Sequence, residues 1–466
     1  MTRRAFCQSI LTGVINVTLM RASAPQMSIT ESRRRLPNII FILADDLGYA
    51  DLGCYGQKHI RTPNIDRLAT EGMRFTQCYT GSPICAPSRC VLMTGKHTGH
   101  CRVRGNFAKV GGVLVLDNGP PQRRVPLEPG DITVAEVLKQ ANYVTGAVGK
   151  WGLGEPGTDG VPNRQGFDEW FGYLNQRRAH TYYPLFLWRN EEKVVLEGNQ
   201  GGQRKQYSHD LFTEFALDFI RRHRDKPFFL YLAYTIPHAR YEIPSIEPYA
   251  DRPWSYQAKV YAAMVTRLDR DVGRIMALLS ELGLDEHTLI FFCSDNGAAR
   301  RWDGLFDSCG PLRGKKGQLY EGGIRTPMIV RWRGRIPANV VSDQVWYFAD
   351  FMPTVAELVG VKAPSDIDGV SILPTLLGEE QSLNERFLYW EHFGSGFQQA
   401  VRVGNWKAIR SNLGKPLELY NLAVDVGERH NVAEQHPDVA ERIEAYLKTA
   451  RTDSENWPLP KRLKEG

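Results

Sequence analysis

Cys85 and Arg89, in the run Pro83-Ile84-Cys85-Ala86-Pro87-Ser88-Arg89-Cys90, are four residues apart. On a helix that spacing puts thiol and guanidinium on one face, a single turn from each other. Pro87 and Ser88 suit a first turn, where a missing N–H is tolerated and a hydroxyl can cap. A helix opening at Cys85 would offer an anion its free N–H groups, the positive end of its dipole and a guanidinium together. Taken alone, C-x-x-x-R is usually a buried cysteine beside a surface arginine, because cysteine packs as a small hydrophobe.

Two further groups of residues bear on the choice. Asp45-Asp46 and Asp295-Asn296 each follow an apolar run, so oxygen donors from distant parts of the chain could converge at one sheet edge. Such donors without His or Cys favour calcium or magnesium over zinc, although both pairs also read as cap and turn signals. Three carboxylates around a divalent ion leave a site slightly negative. An anionic substrate then needs cations, which Arg89, Lys150 and Lys316 can supply. His238, in Thr235-Ile236-Pro237-His238, is either a structural histidine or a proton donor. Arg177, Arg178, His180, Tyr182 and Tyr183 form a basic and aromatic cluster, and Arg300, Arg301, Trp302 and Asp303 follow the second acidic pair. Both groups suit a sugar and its acidic substituents, or else a solvated loop. Arg177, Arg178, His180, Arg300 and Trp302 are the substrate-binding candidates.

Positioning these groups requires an α/β fold. Residues 38–44 form a continuous apolar run, as in a central parallel strand, and ligands gather beyond the carboxyl ends of such strands. Residues 64–71 read as a helix and 75–79 as a strand, with a new helix from Cys85. Residues 105–130 read as a loop, 134–140 as a helix, and 143–148 as a strand delivering Gly149-Lys150-Trp151. Residues 152–206 have little periodicity and read as a long irregular binding insert. A helix is expected at 209–223, a strand at 227–232, a long helix at 254–282, a strand at 288–293 and a helix near 350–359. Alternation of this kind predicts a mainly parallel sheet covered on both faces. Short antiparallel strands at 387–390, 400–403, 406–410 and 417–420 and a helix at 438–449 predict a smaller C-terminal α+β domain. The expected divisions are 1–35, 36–372 and 373–466.

The formal charge is +6, and residues 1–35, with six arginines and one glutamate, carry most of the surplus. A nearly neutral body argues against nucleic acid as a partner. The 8 cysteines show no zinc spacing. Apart from Cys7 and Cys85 they could pair in an exported protein. Arg3-Arg4, a short apolar stretch and Ala22-Ser23-Ala24 read as a bacterial Tat-type export signal rather than a membrane span. The competing reading is an unstructured start in a cytoplasmic enzyme.

The run from Pro83 to Gly95 resembles the signature of the formylglycine-dependent sulfatases, and further motifs of that family recur in order over most of the chain. The resemblance implies an alkaline-phosphatase-like α/β fold, in the arylsulfatase and N-acetylgalactosamine-sulfatase branch. It implies that a separate formylglycine-generating enzyme oxidises Cys85 to Cα-formylglycine, whose hydrated aldehyde is the nucleophile. Asp45, Asp46, Asp295 and Asn296 match the family's ligands for one divalent metal, calcium, which also touches the group at position 85. Arg89, Lys150 and Lys316 match the cations on the sulfuryl oxygens, and His238 the histidine on the leaving oxygen. Lys316 is selected over Lys315 by the spacing of Arg313-Gly314-Lys315-Lys316 before Glu321-Gly322-Gly323. The implied reaction is hydrolysis of a sulfate ester, the expected substrate a sulfated sugar. Two departures stand out: Gly152 occupies the place of the family's histidine after Gly-Lys-Trp, for which His180 or another group would have to substitute, and Asn142 replaces a common glycine. A phosphatase or phosphonate hydrolase of the same superfamily, or a non-catalytic protein binding sulfated glycan, are the alternatives.

Overall fold

Residues 36–115 and 121–459 are described by the computed structural model. The export signal expected in residues 1–35, and Cys7, lie outside them. Asn38–Ala44, buried along its whole length, runs through the middle of the large sheet. It pairs in parallel with Thr288–Ser294 on one side and Phe228–Ala233 on the other. Val144–Lys150 and Glu169–Tyr173 continue the parallel run. On the opposite flank Arg325–Arg331 is antiparallel to both Thr288–Ser294 and Met73–Tyr79.

Register places the chemistry. Ala44 lies opposite Ser294, and Leu43 and Gly149 both lie opposite Ala233. Asp45, Asp295, Lys150 and the segment leading to His238 therefore leave the sheet at one edge. At this edge Val144–Lys150 approaches its neighbours closely. A Cβ on Gly149, whose φ is +107°, would come within 1.9 Å of the Ala233 carbonyl oxygen, so the position before Lys150 needs glycine.

The sheet is covered on both faces because strand residues alternate between them. Ile39, Phe41 and Leu43 pack with the helices Cys85–Thr94, Val134–Lys139 and Phe351–Val359. Ile40 and Ile42 pack with Pro63–Thr70, Ser208–His223 and Tyr256–Glu281. These elements agree with the expected ones to within a few residues.

Two expectations about connecting segments need correction. Residues 152–206 are not one irregular insert: Glu169–Tyr173, Phe186–Arg189 and Glu192–Val195 extend the large sheet to its edge. Strands of 4 or 5 residues are too short to impose a period on so glycine-rich a stretch. Within 105–130, Val113–Val115 and Gln122–Arg124 pair as a small hairpin.

A four-stranded antiparallel sheet, Phe387–Phe393, Phe397–Val403, Trp406–Arg410 and Glu418–Asn421, follows with the helix Pro437–Leu447. It joins the large sheet through buried polar bonds: Trp390 donates from Nε1 to the Thr80 carbonyl at 2.7 Å, and Lys407 Nζ lies 2.9 Å from Glu321. The seven cysteines among the described residues are free thiols, with Cys78 and Cys293 sulfurs 4.0 Å apart. Among the described residues no helix is long and apolar enough to cross a membrane.

Candidate active site

Cys85 opens the Cys85–Thr94 helix, and its side chain is buried. Ile84 holds the cap position without a side-chain bond. Ser88 does not cap the helix as expected; its Oγ accepts the Gly81 N–H at 3.2 Å and ties the preceding loop to the helix. The first-turn donors are largely taken: the Ala86 N–H donates to Asn106 Oδ1 at 3.0 Å, the Ser88 N–H to the Ile84 carbonyl, and Pro87 has none. Burial pushes the Cys85 thiol up to about 12, so the unmodified residue is a thiol at neutral pH and no thiolate nucleophile.

Three carboxylates meet the thiol. Asp45 Oδ1 lies 3.6 Å from Cys85 Sγ. Asp46, turned by a left-handed backbone conformation with φ +67°, accepts from Asn296 Nδ2 at 2.7 Å. The Asp46 N–H donates to Asp295 Oδ1 at 3.3 Å. All four oxygen-bearing residues are buried. Asn296 Oδ1 has no hydrogen-bond partner, an orphan acceptor inside an oxygen-rich cluster. Asp45, Asp46, Cys85 and His238 each offer an atom within 4.8 Å of the others. The oxygen donors of Asp45, Asp46, Asp295 and Asn296 fit a hard divalent cation.

Three cations match the three acids. Lys150 Nζ is 2.5 Å from Asp45 Oδ2. Lys316 Nζ is 2.6 Å from Asp46 Oδ1 and 2.8 Å from Oδ2. Arg89 donates to Asp295 Oδ2 at 2.8 and 3.1 Å and to the Lys150 carbonyl at 2.7 Å. Its guanidinium therefore braces the cluster from within. Lys316 reaches the centre because its N–H is bonded to the Ala298 carbonyl, while Lys315 faces solvent. Burial alone would raise Asp45, but Lys150, His238 and Arg89 pull it well below the usual carboxylate range. Burial and the neighbouring Asp45 push Asp295 up to about 6. A divalent ion added to three acids and three cations gives a net positive pocket, suited to an anion.

His238 Nε2 lies 3.4 Å from Asp46 Oδ2. Burial lowers His238 to about 4, so the ring is neutral near pH 7. His180 stacks on it with centroids 3.8 Å apart. Burial and His238 depress His180 strongly, and its Nε2 has no partner. What fills the space at Gly152 is not visible from sequence. A Cβ there would come 2.5 Å from Gln176 Oε1, and Arg124 donates to the Gly152 carbonyl at 2.5 Å. Gln176 is buried with neither amide atom bonded. A lone glutamine within an aperiodic stretch carries no sequence signal.

The substrate-binding candidates fall into two cavities. Arg177, Arg178 and His180 line one of ≈420 Å³ with Arg240. Arg300 and Trp302 line another of ≈740 Å³ with Arg313 and Lys315. A second cluster, His97, His100 and Asp368, lies past the end of the Cys85–Thr94 helix. There His97 Nδ1 accepts the Gly99 N–H, which directs the protonated Nε2 of the neutral ring toward Asp368 as a structural clamp.

The sulfatase family model matches residues 37–361, and the model for the C-terminal region of N-sulphoglucosamine sulphohydrolase matches 314–453. N-acetylgalactosamine-6-sulfatase of Canis lupus familiaris is 35% identical over 85% of this chain and 76% of its own length. Arylsulfatase A of Homo sapiens is 32% identical over 88% and 86%. The structure of Ps i-CgsB in complex with k-i-k-neocarrahexaose superposes with TM-score 0.79 and 29% identity, covering 92% of this chain and 96% of that one.

Proposed function

Because the chain belongs to the sulfatase family and is a sulfuric ester hydrolase, we propose that it acts on a sulfated sugar through a nucleophile at position 85. The observation that carries this reading is the convergence of Asp45, Asp46, Asp295 and Asn296 on the Cys85 helix mouth, with Arg89, Lys150 and Lys316 against them. A Cα-formylglycine at position 85, made by a formylglycine-generating enzyme, supplies a hydrated aldehyde as nucleophile. A divalent cation, calcium, would be held by Asp45, Asp46, Asp295 and Asn296 and would supply positive charge for the sulfuryl oxygens.

This chain's own groups do the rest. Lys150 and Lys316 bring positive charge to where negative charge develops on the sulfuryl oxygens. Arg89, wholly buried, orients Asp295 and adds its charge at short range. Asp46 pulls Lys316 well above the ordinary lysine value despite burial, so its ammonium keeps its protons. Lys316 and His238 both approach Asp46 Oδ2 and can meet one substrate oxygen, that of the departing alcohol. Arg177, Arg178, His180, Arg300 and Trp302 recognise the sugar. Residues 36–372 form the catalytic division and 373–466 the C-terminal one, with export through the Tat-type signal in 1–35 to the periplasm.

The test pairs mass spectrometry of the peptide bearing residue 85 with turnover of nitrophenyl sulfate and nitrophenyl phosphate. An aldehyde at 85, preference for the sulfate, and loss of turnover in a folded Cys85→Ala variant are expected. Undiminished turnover in that variant would end the proposal.

A further inference from the structure

Two cation-lined cavities border the stretch of chain that follows His238. Ala239 and Arg240 line the smaller cavity. The next ring, Tyr241, lies against Trp302 of the larger one, with centroids 5.8 Å apart. His238, at the root of this stretch, touches Asp46. The smaller cavity reaches the cluster through His180, which stacks on His238. The larger is lined by Gly314 and Lys315, which immediately precede Lys316 in the chain.

The charges on both sides are unusual for a surface. Arg240, Arg300 and Lys315 are exposed and have no carboxylate within ion-pair distance among the described residues. Arg300 is held with its guanidinium 3.9 Å from the Trp302 ring centroid, and Arg178 lies 4.4 Å from that of Phe186. The acid in the larger cavity, Asp303, is occupied by Arg301 at 3.0 Å. Cations fixed on aromatic faces lose little freedom when they bind, which suits them to sulfate or carboxylate groups on a sugar.

We propose that the substrate is a polyanionic oligosaccharide hydrolysed at an internal unit, with anionic groups of one neighbouring sugar on Arg240 and of the other on Arg300 and Lys315. This deepens the sulfated-sugar reading and rests on it. Selectivity arises on both sides of this stretch, so a terminal monosaccharide sulfate uses neither arm fully.

The experiment measures kcat/KM on nitrophenyl sulfate, a sulfated monosaccharide, and oligosaccharides bearing sulfate or carboxylate on one neighbour or on both. Values should rise with each charged neighbour and fall steeply with ionic strength. Arg240→Ala and Arg300→Ala/Lys315→Ala should each lower the oligosaccharide value relative to nitrophenyl sulfate by about five- to tenfold, mainly through KM. Each set should lose its effect when the matching neighbour is uncharged. Equal kcat/KM for monosaccharide and oligosaccharides, or ratios unmoved by both variants, overturns the proposal. Loss of all sulfate ester hydrolysis by the unmodified protein would instead sink the reading beneath it.

Discussion

Lys407→Met isolates the contact that joins the C-terminal sheet to the catalytic edge. Lys407 Nζ is 2.9 Å from Glu321 and 3.0 Å from Glu428, and all three side chains are fully buried. Burial would raise Glu321, but Lys407, Arg325 and Arg402 hold it near 2, whereas burial and Glu321 keep Glu428 up at about 7 despite Lys407. Methionine keeps the length and removes the charge. Glu321 retains Arg325 at 3.2 Å, but Glu428 is left without a cation. Removing one partner of a buried pair costs about 3–5 kcal/mol. The lower end applies here, because Glu428 can escape part of the penalty by binding a proton. Its folded pKa, already raised above the unfolded value, rises further in the variant. Stability from that proton is fully present below the unfolded glutamate value and disappears as pH climbs through the folded one. Urea denaturation followed by tryptophan fluorescence should therefore show a deficit of about 3 kcal/mol near pH 8, shrinking toward pH 5. Lys407→Met/Glu428→Gln should recover part of it. A deficit below about 1 kcal/mol, or one that does not grow with pH, would refute the reasoning.

Chelation should abolish nitrophenyl sulfate turnover, with calcium restoring it; restoration by magnesium alone would contradict the calcium assignment. Gly152→Ala forces a Cβ into a φ of +80° and to 2.5 Å from Gln176 Oε1. It should cost about 1–2 kcal/mol from backbone strain alone, and an unchanged thermal midpoint would refute that strain. Burial lowers His97 from 6.5 to about 4 despite Asp368. A depressed folded pKa means stability is lost as pH falls from the unfolded value toward the folded one, by up to roughly 3 kcal/mol. His97→Gln should flatten the stability curve across that interval, and an unaltered acid limb would argue against it.

Local patterns foretold the main parts of the fold. The apolar run of Asn38–Ala44, the helix start at Cys85 and the acidic pairs at strand ends were readable because burial on both faces and helix capping leave marks within a few residues. The family motif added what spacing could not, an expected chemical fate for Cys85. Arg89 was visible as a cation, but its engagement of Asp295 and the Lys150 carbonyl depends on three chain segments meeting, and no window of sequence contains all three. The same holds for Gln176 at Gly152 and for the sheet-edge strands within 152–206.

Residue types thus set the reagents: the thiol, the acids, the cations and the glycines that let strands approach. Folding set their geometry, because the parallel register of Ala44 with Ser294, and of Leu43 and Gly149 with Ala233, fixes which side chains share a pocket. Lys316 faces the centre because its loop is tied to the Ala298 carbonyl just beyond that sheet edge. The site's contacts span up to 270 residues between Asp46 and Lys316, a separation across which only packing carries information.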